Sequence, residues 1–150
     1  MKTLIAKNPL FYSFFLPAVT DAVVTIIGQD RSYWQNFKSV NEASPAYFVL
    51  AVNPIYFIFG SLLWFISLYF LILKLKRPWN LILSITFIAG HAWGSGGWIT
   101  KLLNTSGIIA GYERGSILMR WAVLILYFII VGIAAAKAIE LYFRNEKASE

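Results

Sequence analysis

Four long apolar stretches, separated by short polar segments, make up most of the chain. A helix that crosses the hydrocarbon core of a bilayer needs about 20 mostly apolar residues, and each stretch supplies them. The pattern therefore predicts four transmembrane helices, which run from about Leu10 to Gly28, Tyr47 to Leu73, Asn80 to Leu103 and Ser116 to Ala138. Residues 139–150 are charged and amphipathic, so we expect them to form a polar tail outside the membrane.

The fold class that follows from this pattern is all-α. The chain has 150 residues, which is the length of one domain, and four packed helices would fill it. We therefore expect a polytopic membrane protein with a single four-helix transmembrane bundle.

The composition supports a membrane protein and excludes several other classes. Hydrophobic residues make up 59% of the chain and charged residues 13%, whereas an ordinary soluble domain is about 25% charged. The chain has no cysteine and one histidine, so we expect neither a disulfide nor a metal site, and no cofactor. The net charge of +6 is spread along the ends of the apolar stretches, which favours a lipid bilayer over nucleic acid as the partner.

The basic residues also predict an orientation, because the cytoplasmic loops of membrane proteins carry an excess of lysine and arginine. Of the 13 basic residues, eight fall on one side of the four predicted spans and five on the other. The more basic side holds both chain ends, so both termini are predicted to be cytoplasmic. The loops at about 29–46 and 104–115 then face outward.

Asp21 and His91 lie near the middle of predicted spans, where ionisable residues are costly and therefore candidates for function. Asp21 lies just past the middle of the first span, and it could be a proton or cation site, the counter-ion of a basic ligand, or a paired structural carboxylate. His91 lies near the middle of the third span and could relay protons or bind a ligand. A histidine that only bonds to a neighbouring helix is the structural alternative.

Four further residues map to the same middle or outer half of the bundle. Asn53, followed by a proline, interrupts the second span, and it predicts either a kink that lines a cavity or a simple bend. Arg120 is the cation best placed to pair with Asp21, although it could also extend to the membrane interface. Glu42 could fold over the outer mouth or remain solvated, and Trp93 could wall a ligand site or serve packing. Together these residues predict either a pocket or a structural hydrogen-bonded cluster.

Glycines are concentrated around His91 in the third span. Gly90 and Gly94 form a GxxxG pair, and Gly97 extends the same small face by another turn. Such faces let helices approach closely, so we expect these glycines to pack against another helix. The same face could dock a second copy of the chain or a partner in a larger membrane complex.

Two resemblances extend these expectations. The segments 21–25 (Asp-Ala-Val-Val-Thr) and 41–45 (Asn-Glu-Ala-Ser-Pro) are similar to small uncharacterised prokaryotic four-helix membrane proteins, which carry Asp-x-x-x-Thr and then Glu-x-Asn-Pro. Asp21, Asn53 and His91 resemble, more loosely, pocket positions of the EXPERA group, which includes the sterol isomerase and the sigma-2 receptor. The second resemblance implies a ligand pocket and, for the isomerase, a membrane enzyme, but no acid in the second span matches the group's glutamate.

The leading hypothesis is a non-enzymatic membrane protein with a polar pocket in the middle or outer half of the bundle. The pocket would bind a small or lipophilic ligand, or pass a proton or ion, through Asp21 and His91 with Arg120 as counter-charge. An accessory subunit of a larger membrane complex and an EXPERA-like isomerase are the alternatives. The sequence has no phosphate-binding glycine loop, nucleophile elbow or HExxH motif, so enzymes of those common types are not expected.

Overall fold

A computed structural model describes residues 4–148 of the chain, and the regular structure in that range is entirely helical. The all-α prediction is therefore confirmed for the described residues. The elements are α1 (Leu4–Lys7), α2 (Pro9–Ile27), α3 (Arg31–Gln35), a 3-10 turn (Phe37–Ser39), α4 (Tyr47–Leu50), α5 (Pro54–Lys74), α6 (Trp79–Thr105) and α7 (Arg114–Lys147).

Three of the described helices, α2, α5 and α7, are long and apolar enough to cross a membrane. The fourth long helix, α6, has 27 residues, but with its glycines, serines and His91 it has no 18-residue segment as apolar as those of the other three. The structure thus supports a helical membrane protein with three apolar helices, one fewer than the sequence predicts.

Two predicted boundaries differ from the structure. The second long helix begins at Pro54 and not near Tyr47, because Asn53 is its N-cap: the backbone of Asn53 is extended (φ −171°), and its side chain accepts a hydrogen bond from the Ile55 N–H at 2.8 Å. The kink expected at Asn53 is therefore a helix start, and Tyr47 begins the separate short helix α4. The predicted tail is helical from 139 to 147, since α7 continues without a break to Lys147, and residues 149–150 lie outside the described range.

The four long helices run alternately up and down. In the α2–α5 pair, the Asn8 side-chain amide donates to the Tyr69 carbonyl at 2.8 Å, near the start of α2 and the end of α5. In the α6–α7 pair, the Asn80 amide bonds to the Tyr142 hydroxyl at 3.1 Å, at the start of α6 and near the end of α7. Both chain ends described by the structure therefore lie at the same end of the bundle as the basic α5–α6 turn at Lys74–Arg77.

An aromatic core closes that end of the bundle. Leu10, Phe11 and Phe14 of α2 are buried against Leu68 and Ile72, which are the buried residues of α5. The first half of α5 has no residue buried in this way, and the ring contacts of α5 with α2 and α6 begin at its middle, with Trp64 and Phe65. The bundle is consequently filled at the basic end and open between α2, α5 and α6 at the other end.

Only one of the three glycines predicted to pack helices does so. A Cβ atom on Gly94 would lie 2.9 Å from the Asp21 carboxylate, so Gly94 is what lets α2 approach α6. A Cβ on Gly90 or Gly97 would meet nothing within 4 Å, so these two do not pack against another described helix of this chain, and their role in docking a partner stays a prediction. Close packing instead also uses Gly28, against the Trp98 ring, and Gly96, against Phe128.

Candidate functional site

A cavity of about 850 Å³ occupies the open end of the bundle. Its walls come from α2, α5 and α6, and the segment that leads into α4 covers its end. Its lining residues are Ala18, Asp21, Ala22, Thr25, Glu42, Ala43, Ser44, Pro45, Ala46, Val49, Phe57, Gly60, Ser61, Trp64, Phe65, Phe87, Gly90, His91, Trp93, Gly94 and Trp98. A cavity of this size is within the range of small-molecule sites in proteins, about 300–1,000 Å³.

The polar centre of the cavity is a pair formed by Asp21 of α2 and His91 of α6. The His91 Nδ1 atom lies 2.8 Å from the Asp21 Oδ2 atom, and both side chains are about three-quarters buried, with 22% of Asp21 and 24% of His91 exposed. The Trp64 ring meets the imidazole edge to face at a centroid distance of 5.2 Å, which fixes the ring from the α5 side. Gly94 leaves the space in which the Asp21 carboxylate sits.

A second hydrogen-bonded group lies directly behind this pair and joins three helices. The Ser95 hydroxyl bonds to the His91 carbonyl at 2.6 Å and to the Tyr127 hydroxyl of α7, also at 2.6 Å. The Tyr127 hydroxyl is in addition a hydrogen-bond partner of Thr20. Sequence analysis did not assign Tyr127 to the site, because only the α6–α7 register, which the sequence does not show, brings it opposite Ser95.

The segment that covers the cavity is held at both of its ends, and we call residues 42–49 the strap. At one end, the Gln29 side chain accepts a hydrogen bond from the Asn41 N–H at 2.9 Å. At the other end, the buried Tyr33 hydroxyl donates to the Leu50 carbonyl at 3.1 Å. Burial raises the pKa of the Tyr33 hydroxyl above its ordinary value. Both anchors are outside the long helices, and the strap is fixed between them.

The charges around the cavity are negative. Asp21 and Glu42 are its acidic lining residues, and among the described residues that line it there is no lysine or arginine. The nearby Lys101, whose Nζ lies over the Trp98 ring at 4.9 Å, forms an ion pair with Asp30 at 3.0 Å. The rest of the lining is largely aromatic and aliphatic, so the cavity combines two acidic side chains with an apolar wall.

The structure brings four of the six predicted ligand residues to this cavity: Asp21, His91, Glu42 and Trp93. Glu42 lies on the strap, where its carboxylate accepts a hydrogen bond from the Ser44 N–H at 2.8 Å. Trp93 is 80% exposed and stands at the rim, so it is not packed in the core. The remaining two, Asn53 and Arg120, lie elsewhere.

Arg120 does not pair with Asp21, and that prediction is wrong. Its guanidinium is buried in the α6–α7 loop, where it donates to the Ile109 carbonyl at 2.7 Å, the Gly111 carbonyl at 2.9 Å and the Asn104 side chain at 3.2 Å. The guanidinium thus supplies donors to the Ile109 and Gly111 carbonyls of the loop, while the Asn104 side-chain oxygen also accepts from the Gly111 N–H at 3.0 Å. Asn53 is likewise occupied as the cap of α5 and does not line the cavity.

Within the described residues, no group of three or more histidine, cysteine, aspartate or glutamate side chains could hold a metal ion. A comparison with family models, with curated proteins and with solved structures finds no match for the chain. The site is therefore interpreted from its own geometry.

Proposed function

We propose that the chain is an integral membrane protein that spans the bilayer four times, with both termini on the cytoplasmic side. The 27 residues of α6 give a helix of about 40 Å, enough for a hydrocarbon core of about 30 Å. Several residues that lower its hydropathy face other helices: Gly94 faces α2, Gly96 and Ser95 face α7, and His91 bonds to α2. The alternating direction of the long helices and the basic α5–α6 turn support this topology.

Within that membrane domain, we propose that the cavity binds a lipophilic organic cation, such as an alkylamine. One observation supports this ligand class: the Asp21–His91 pair and the Glu42 carboxylate share an aromatic-walled cavity with no lysine or arginine among its described lining residues. Carboxylates attract a cation, aromatic faces such as that of Trp64 add cation–π attraction, and the apolar wall accepts an alkyl chain. A fatty acid of the same length would bring a third negative charge into this space.

The test is direct binding to the purified protein in lipid nanodiscs. The probe is a tertiary alkylamine with a dansyl label, read by energy transfer from the cavity tryptophans, and a dansyl-labelled fatty acid is the control probe. Hydrogen bonds to charged groups are worth about 1.5–3 kcal/mol, so Asp21→Asn should weaken amine binding about 10- to 150-fold. Asp30→Asn removes an acid outside the cavity and should leave binding unchanged.

Two results would contradict the proposal. Equal binding of the amine and the fatty acid would mean that the carboxylates do not select the ligand. An equal loss of amine affinity in Asp21→Asn and Asp30→Asn would mean that general surface charge, and not the cavity, attracts the probe.

A second candidate function, an isomerase, is favoured by the orientation of His91. Because Asp21 bonds Nδ1, the pair has the arrangement in which a carboxylate orients an imidazole for proton transfer through Nε2. A cavity that reaches both residues is what an EXPERA-like isomerase needs. Incubation with a sterol that has a ring double bond, in deuterated buffer, tests it: deuterium incorporation that His91→Gln abolishes supports an enzyme, and no incorporation by the native protein opposes one.

A further inference from the structure

Two glycines of the cavity have no packing reason to be glycine. Gly60 of α5 and Gly90 of α6 both line the cavity, both are exposed, and a Cβ atom at either position would meet nothing within 4 Å. A glycine inside a helix costs roughly 0.5–1 kcal/mol relative to alanine. Gly94, by contrast, is needed for contact with Asp21. Helix packing therefore does not explain why glycine stands at positions 60 and 90.

These two positions lie where the cavity reaches the side of the protein. Among the lining residues that belong to helices, Gly60, Gly90 and Trp93 are exposed, and all three lie in the long helices α5 and α6. The neighbouring side chains on α5, such as Phe59 and Leu63, are large, apolar and about two-thirds exposed, as expected for a surface in contact with lipid. The gap between α5 and α6 thus faces the acyl chains of a surrounding bilayer.

The other route into the cavity is covered. The strap lies across the end of the bundle, and the Gln29–Asn41 and Tyr33–Leu50 hydrogen bonds fix it on both sides. A molecule coming from water would have to displace this segment, whereas one dissolved in the bilayer would meet only the gap beside the glycines.

We propose that ligands enter the cavity sideways from the bilayer, through a gap between α5 and α6 that Gly60 and Gly90 keep open. This inference deepens the proposed binding function and rests on it for its biological meaning. The gap itself can be tested without any ligand, because the native chain contains no cysteine.

The experiment introduces one cysteine on the far wall of the cavity, Ala22→Cys in α2, and follows its reaction with two maleimides in nanodiscs. A lipophilic pyrene maleimide should label it, and a charged, membrane-impermeant maleimide should react at least about tenfold more slowly. Adding Gly60→Leu and Gly90→Leu should slow the pyrene reaction about tenfold, equivalent to about 1.4 kcal/mol of added barrier.

Matched controls separate a closed gap from a disturbed fold. Gly97→Leu in α6 and Gly132→Leu in α7 place the same side chain at glycines that also have open space but do not line the cavity, and they should leave the rate unchanged. Tyr33→Phe loosens the strap and should not accelerate labelling by the lipophilic pyrene maleimide, because that probe does not pass the strap.

Three outcomes would overturn the lateral route: equal labelling by both maleimides, an unchanged pyrene rate with leucine at 60 and 90, or acceleration of the pyrene reaction by Tyr33→Phe. The failures of the two proposals are distinguishable. If the cysteine is labelled as expected but no alkylamine binds, the lateral gap is supported and the proposed ligand class is wrong. If the amine binds while leucine at Gly60 and Gly90 changes neither labelling nor the association rate, the binding function stands and this route is wrong.

Discussion

Gly94 and Gly90 lie one helical turn apart in α6, and the structure predicts opposite effects when each is replaced by alanine. In Gly94→Ala, the new methyl carbon would lie 2.9 Å from Asp21 Oδ1 and 3.2 Å from Oδ2. The carboxylate is short and is bonded to His91, so it cannot move aside without breaking that bond. In Gly90→Ala, the methyl meets no atom within 4 Å.

The magnitudes follow from these contacts. Overpacking of a tight interface costs about 1–3 kcal/mol, and loss of a hydrogen bond to a charged group about 1.5–3 kcal/mol. Replacing glycine by alanine stabilises the helix by about 1 kcal/mol at either position, because alanine has the higher helix propensity. We therefore expect Gly94→Ala to destabilise the protein by roughly 2–4 kcal/mol and Gly90→Ala to stabilise it by up to about 1 kcal/mol.

The assay is the free energy of unfolding in bicelles, measured by steric trapping so that the lipid environment is kept. A third variant, Asp21→Ala, removes the carboxylate that the Gly94→Ala methyl would contact. When Asp21 is already alanine, Gly94→Ala should lower the free energy of unfolding much less than it does in the native protein. If Gly90→Ala and Gly94→Ala change stability equally, or if the cost of Gly94→Ala persists without the Asp21 carboxylate, the packing described here is wrong.

Three other predictions concern the strap, the α6–α7 loop and the cavity charge. Tyr33→Phe should cost about 1 kcal/mol through loss of the bond to Leu50. Because burial raises the folded pKa of Tyr33, the stability that it contributes is complete below the unfolded pKa and is lost as pH rises through the folded value; unfolding measured above about pH 10 should show a larger loss of stability in the native protein than in Tyr33→Phe, which keeps the other tyrosines. Arg120→Gln should destabilise by about 1–3 kcal/mol, since the Ile109 and Gly111 carbonyls lose their guanidinium donor, without changing amine affinity; an Arg120→Gln protein that folds normally but binds the amine more weakly would show that Arg120 belongs to the site. Glu42→Gln should weaken amine binding less than Asp21→Asn, and a larger loss in a nanodisc titration would make the strap the main recognition element.

Much of the fold follows from the sequence because apolar length and helix starts are local signals. Asn8 followed by proline marks the beginning of α2, and the Asn8 side chain does cap the helix by accepting from Phe11. The same dipeptide at Asn53 was interpreted as an interruption, since a proline inside an apolar stretch permits both a kink and a start. Only the extended backbone of Asn53 distinguishes the two.

The sequence predicts the candidate site only as far as it predicts how deep each polar residue lies in the membrane. Depth alone groups Asp21, His91 and Arg120, but it does not give the direction in which a side chain leaves its helix. Asp21 and His91 face each other, whereas Arg120 turns to the loop carbonyls of Ile109 and Gly111. Helix rotation and register are set by long-range packing, which one sequence does not reveal.

The account depends most on a lipophilic cation held by Asp21 inside the cavity. The most direct measurement is an experimental structure of the protein in nanodiscs with a tertiary dodecylamine bound, determined with a rigid fiducial to overcome the small size. We expect density for the amine between α2, α5 and α6, with its nitrogen about 2.7–3.2 Å from the Asp21 carboxylate. An amine that lies outside the bundle, or a cavity closed by side chains with Asp21 turned away from it, would contradict the account.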